Sequence, residues 1–232
     1  MNILEIYKKY QIMPNLAEHQ LRVAAVGDMI CGNWNPHPDP LPKGEGGLHV
    51  DRENIVAACL LHDMGNIVKF DLSKTHNLYS ALFVKPKDQL FWENIKQEVI
   101  KKYGSGSHNV TIKIIKEIGV SPRILELVDC VGFNQGFDNA ASGDVGKKIC
   151  AYSDMRVMPN GVCSLEQRMA DLRVRYKNHP EVSRDEKDSR EVFEASLREI
   201  ERQIFEYCSI KPSDITEEAI EDRKEKLKNF DI

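Results

Sequence analysis

Ile55-Val56-Ala57-Ala58-Cys59-Leu60-Leu61-His62-Asp63-Met64-Gly65 is an apolar helical run that ends in two adjacent side chains able to bind metal. Asp51 supplies an N-cap ahead of it and Gly65 a stop behind it. The run places an imidazole and a carboxylate side by side at a helix end. Both can reach one ion, and the second carboxylate oxygen stays free to orient a water or bind a second ion. An HD dipeptide alone is weak evidence of a site, so the rest of the chain must supply the context.

Outward from this run, helical signals dominate and β signals are scarce. Residues 2–10 carry Ile3, Ile6 and Tyr10 on one side and stop before Pro14. Asn15 is expected to cap a helix reaching about Ile30, with Glu18 completing a capping box. His19 lies in its first turns, and Val23 and Val26 follow on the apolar side. Pro36, Pro38, Pro40, Pro42, Gly44, Gly46 and Gly47 make residues 31–50 a loop.

Downstream of the central run, residues 66–87 read as irregular. A helix over 88–103 carries Phe91, Ile95 and Val99, and one opened by Ser107 carries Ile112, Ile115 and Ile118. Ser121-Pro122 starts the next, which reaches about Val131. Residues 133–143 read as loop, 143–157 as the helix that carries Asp154, and Pro159-Asn160-Gly161 as a turn. Ser164 and Gln167 form a capping box for a helix to about Lys177. Residues 186–208 show Phe193, Leu197, Ile200, Ile204 and Tyr207 at helical spacing, and a charged helix covers 214–229. The expectation is an all-α protein: a domain over 1–178 and a charged helical extension over 179–232 that packs on it or on a partner.

Hydrophobic residues make up 41% of the 232, enough for one mid-sized core, and 29% are charged, which suits exposed helices. A net charge of −4 provides no global field toward nucleic acid, so no duplex partner is expected. No apolar run approaches the roughly 20 residues of a membrane span. The start, Met1-Asn2-Ile3-Leu4-Glu5, lacks the pattern of a signal peptide. Cys31, Cys59, Cys130, Cys150, Cys163 and Cys208 are widely spaced with no CxxC, and read as reduced core thiols of a cytoplasmic protein.

Three blocks together carry a resemblance: YKKYQIMPNLAEHQLRV at 7–23, AACLLHDMG at 57–65 and ICAYSDMRV at 149–157. In this order they resemble the HD-domain metal-dependent phosphohydrolase superfamily, whose pattern is H…HD…D on a helical bundle. The resemblance covers about residues 1–176. It implies an HD-type helical bundle and a metal held by His19, His62, Asp63 and Asp154. It further implies hydrolysis of a nucleotide or another small phosphate monoester by metal-activated water, with Asp63 as the catalytic residue that orients or deprotonates the water. Mixed nitrogen and oxygen ligands admit manganese, iron, cobalt, nickel, zinc or magnesium.

The chain also departs from the pattern. Many members have lysine soon after the HD pair, whereas here Asn66 stands there and Lys69 follows three residues later. His108 resembles the first of two further histidines found in members with two metals, but no histidine occurs in residues 129–134 to match the second. One metal is therefore expected. Arg22, one turn beyond His19, is expected to face the site. Arg22, Asn66, Lys69 and His108 form the candidate substrate-binding set, with a plain helix-start role for His108 left open. Arg156, Arg168 and Arg175 read as surface ion-pair residues. In the 31–50 loop, Trp34 and His37 are candidates to contact substrate, His49 reads as a helix cap, and the loop itself as a gate or substrate wall. Two other classes remain: a phosphodiesterase acting on a cyclic nucleotide or oligonucleotide, and a non-catalytic sensor that binds metal and nucleotide. A homodimer is compatible with the stripe over 186–208.

Overall fold

The computed structural model describes residues 1–35, 50–72, 86–132, 135–175 and 186–232. Among them run α1 (Ile3–Lys9), α2 (Pro14–Gly32), α3 (Arg52–Leu61), α4 (Gln89–Tyr103), α5 (Ser107–Ile118), α6 (Pro122–Asp129), α7 (Gly136–Ala141) and α8 (Val145–Met155). A hairpin of β1 (Val157–Met158) and β2 (Gly161–Val162) follows, and then α9 (Leu165–Arg175), α10 (Glu186–Phe205) and α11 (Glu217–Leu227). The all-α expectation holds. None of the described helices is long and apolar enough to cross a membrane.

α2 and α3 are the central pair. Every residue from Ile55 to Leu61 is buried, and α2 buries Leu21, Val23, Ala24, Ala25, Val26, Met29 and Ile30. Burial on nearly all sides is the mark of a core helix. Gly27 lets α2 come close to its neighbours: a Cβ there would lie 3.3 Å from both Cys59 Sγ of α3 and Ser153 Oγ of α8. α2 packs on α3, α8 and α11, α3 packs on α6 and α8, and α4 and α5 cover a 3-10 turn over Asn66–Lys69.

Several local signals act as read. Asp51 accepts from Asn54 N–H, Ser121 from Ile124 N–H, and Ser164 and Gln167 cap each other reciprocally. The stripe Leu197, Ile200 and Ile204 is buried, on a helix that packs on α7, α8 and α9.

Other expectations are corrected. Pro14, not Asn15, opens α2: Pro14 is the first helical residue, and Met13 at the cap position makes no side-chain bond. Proline's fixed φ suits that position and its missing N–H costs nothing there. Glu18 forms no capping box and pairs instead with Arg22 at 3.1 Å and Lys224 at 2.9 Å. Ser107 is the first residue of α5, with Gly106 at the cap position. The 133–143 loop contains α7, a helix too short to show periodicity, which is held by packing: a Cβ on Gly136 would meet the Phe193 ring at 2.8 Å. The turn at 159–161 closes a hairpin with Val157 opposite Val162, whose two-residue strands are too short for alternation to reveal.

Of the 31–50 loop, residues 31–32 finish α2, and 36–49, with His37 and His49, lie outside the described residues. Trp34 stands 5.5 Å from the Tyr207 ring, and Asn35 N–H donates to Tyr207 O at 2.7 Å, so this end of the loop is pinned beside α10.

α11 returns to α2. Arg22 Nε donates to Glu217 at 2.6 Å, and Arg223 pairs at 2.7 Å with the buried Asp28, which Arg52 also holds at 2.6 Å. Met1 N donates to Ile232 O, Ile232 N to Met1 O, and Ile3 N to Phe230 O.

Candidate metal centre

Three helices bring the four candidate ligand side chains together. α2 brings His19, the turn after α3 brings His62 and Asp63, and α8 brings Asp154. His19 Nε2 lies 3.1 Å from Asp154 Oδ1 and 3.7 Å from Asp63 Oδ2. His62 Nε2 lies 3.5 Å from Asp154 Oδ1 and 3.7 Å from Asp63 Oδ2. Ligand atoms about 2.0–2.2 Å from a shared ion stand roughly 3–4 Å apart. One atom each from His19, His62 and Asp154 falls within 4.8 Å of the others; Asp63 is not in that group of three, though its Oδ2 stands 3.7 Å from both histidines.

The turn is built to present this pair. The Cys59 carbonyl, which a continuing helix would offer to Asp63 N–H, lies 2.8 Å from His62 Nδ1. A carbonyl only accepts, so Nδ1 carries the proton and donates. Asp63 N–H turns to the Gln20 side-chain oxygen at 3.1 Å, and Gly65 N–H to Thr111 Oγ1 at 2.9 Å. Gly65 is glycine for space: a Cβ would stand 2.6 Å from both Ser107 O and Thr111 N.

With Nδ1 protonated, a neutral His62 has its lone pair on Nε2. That atom is buried, makes no hydrogen bond, and faces two carboxylates and a second imidazole. An imidazole fixed through one nitrogen by a carbonyl, with the other free, is the usual form of a metal ligand. The donor set and the orphaned nitrogen therefore fit a divalent metal.

The charges agree. Burial alone would lower the His62 pKa, but Asp63 and Asp154 outweigh it and raise it to about 10. Burial alone would raise both aspartates. His62, Lys69 and His19 instead hold Asp63 below the usual carboxylate range, and the bond from His19 with attraction to His62 and His19 holds Asp154 well below it. The cluster favours a cation, and without a metal that cation is a proton. A metal must displace this proton, so affinity should rise with pH up to about 10, by about tenfold per unit while one proton is released. Titration of a divalent metal at several pH values between 6.5 and 8.5 checks this. A flat profile would show that His62 is already neutral without metal.

The candidate substrate residues are placed less uniformly. Asn66 is buried directly behind the pair, its N–H donating to Asp63 O at 3.0 Å. Lys69 is exposed and close enough to act on Asp63. Arg22 is held by Glu217 and Glu18. His108 is exposed, with Nε2 2.9 Å from Asp129, and is not among the three residues of the metal-capable group. Arg156 corrects the surface reading: it is buried and donates to Tyr152, Cys163, Pro212 and Ile215, riveting the end of α8 to the hairpin and the turn before α11. Arg168 is part-buried and 3.5 Å from Asp171, and the Arg175 side chain lies outside what is described. Gln20 and Thr111, which clamp the turn, were not legible as site residues. Gln20's place beside His19 was the one available hint.

The HD domain family model matches residues 16–130, and the chain belongs to the HD-domain superfamily, whose members bind divalent metals and are generally hydrolases. The match takes in His19, His62 and Asp63, while Asp154 comes from α8 beyond it. No curated protein and no solved structure matches the chain.

Proposed function

We propose that this protein is a metal-dependent phosphohydrolase that cleaves a nucleotide or another small phosphate monoester. The observation that carries the reading is the buried, unbonded His62 Nε2 facing Asp63, Asp154 and His19. His19, His62, Asp63 and Asp154 would hold the metal. When bound, it supplies a Lewis acid that acidifies water and offsets charge on a phosphoryl group.

The protein's own groups do the rest. The Cys59 carbonyl fixes the His62 ring, and Gln20 fixes the backbone of Asp63. Asp63 is partly open to solvent, so its carboxylate can hold a water in line and take its proton. Its lowered pKa makes it a weak base, suited to a water already acidified rather than to bulk water. Lys69 sets a positive charge at the rim, where a phosphate would enter.

The test is phosphate release from a panel of nucleotides and small phosphomonoesters, with manganese, cobalt, nickel, magnesium or zinc added in turn. Metal-dependent release from monoesters is the expected result. Release from cyclic or oligonucleotide substrates alone would replace this reading with a phosphodiesterase. Metal and nucleotide binding without turnover would replace it with a sensor.

A further inference from the structure

Six buried side-chain polar atoms among the described residues lack a hydrogen-bond partner, and three of them belong to His62, Gln20 and Ser153. His62 is a ligand, Gln20 follows the ligand His19, and Ser153 precedes the ligand Asp154. Buried polar groups are nearly always paired, so orphans gathered around one site call for a local cause.

Gln20 is the most informative. It is completely buried. Its Oε1 accepts from Asp63 N–H at 3.1 Å, while its Nε2 has no partner. A methionine or leucine would remove the stranded Nε2 but would leave the Asp63 N–H without its acceptor. The bond it makes falls on the one N–H that the His62 ring displaces from the helical pattern by taking the Cys59 carbonyl. Holding His62 by its ring and holding Asp63 by its backbone are therefore complementary parts of one device.

We infer that Gln20 is a positioning residue: it fixes the backbone at Asp63, and so aims that carboxylate at the metal. This rests on the metal-centre reading above.

The experiment measures cobalt and manganese affinity, and the melting temperature of the metal-free protein, for wild type, Gln20→Met and Gln20→Glu. Gln20→Met keeps length and volume but lacks the acceptor. It is expected to bind metal about 10–100-fold more weakly, with a metal-free melting temperature lower by about 2–12 °C as the Asp63 N–H loses its acceptor. Gln20→Glu keeps an acceptor in the same place and should recover most of the lost affinity. Wild-type affinity in Gln20→Met would overturn the inference. So would a fall in melting temperature well beyond about 12 °C or a failure to fold, either of which marks Gln20 as a structural residue, and so would a Gln20→Glu protein as weak as Gln20→Met. If the wild type binds no metal, the metal-centre reading falls and takes this inference with it. If it binds metal without turnover, hydrolysis alone fails, and the affinities still decide the role of Gln20.

Discussion

Gly65→Ala is expected to lower the melting temperature by about 6–12 °C, the equivalent of roughly 3 kcal/mol for a chain of this size. The cause is steric. Gly65 has φ −96° and ψ 0°, which any residue can adopt, so no backbone strain is involved. The added Cβ would meet Ser107 O and Thr111 N at 2.6 Å and Val110 Cβ at 2.8 Å, and two of these are backbone atoms of α5 that no rotamer change can move aside. Relief requires α5 to separate from the turn, which breaks the Gly65 N–H bond to Thr111 and shifts Asp63 two residues away. Metal affinity should fall with stability. Gly143→Ala is the control, since nothing lies within 4 Å of a Cβ there, and it should change stability by no more than about 0.5 kcal/mol. Thermal melts of both variants check the prediction, and matching melts would mean that α5 yields more easily than close packing permits.

The larger effect on activity is expected at Asp63→Ala. Turnover should fall by about a thousandfold or more, because in the proposed mechanism one substitution removes both a metal ligand and the group that receives the water's proton. The helical fold should persist, as the side chain is partly exposed and its backbone N–H bond to Gln20 does not involve the carboxylate. The loss should be visible without any substrate. Asp63 is the largest of the attractions that hold His62 protonated, so the His62 pKa should drop in the variant, with burial then pulling it further down. Phosphate release, circular dichroism and an NMR titration of the ring read the three effects separately. Wild-type turnover in a folded Asp63→Ala protein would remove Asp63 from the chemistry.

What the sequence made legible was local. A cap such as Ser121 needs only a side chain and an N–H three residues on, and the α10 stripe needs only its own spacing. The four candidate metal residues stand out in the sequence because each sits in a distinctive block. The supports of the site were not, because each depends on a meeting of distant segments. Gln20 reaches Asp63 across 43 residues and Thr111 reaches Gly65 across 46. Nothing in an amphipathic helix distinguishes a surface arginine from Arg156, whose four acceptors come from its own helix, the hairpin and the turn before α11. Counting one turn from His19 puts Arg22 on the site side. Its two carboxylate partners show how acidic residues on a later helix can claim a cation that spacing alone leaves free.

The return of α11 to α2 also sets a timetable for the newborn chain. Arg22 and Asp28 wait 195 residues for Glu217 and Arg223, an interval of about 10–40 s at ordinary translation rates. In that time α2 has only nearby substitutes: Arg52 for Asp28, and Glu18 and Arg22 for each other. Asp154 joins His19 from 135 residues downstream. Asp154 is made 78 residues before Ile232, so the candidate metal residues can gather before α11 arrives to brace α2.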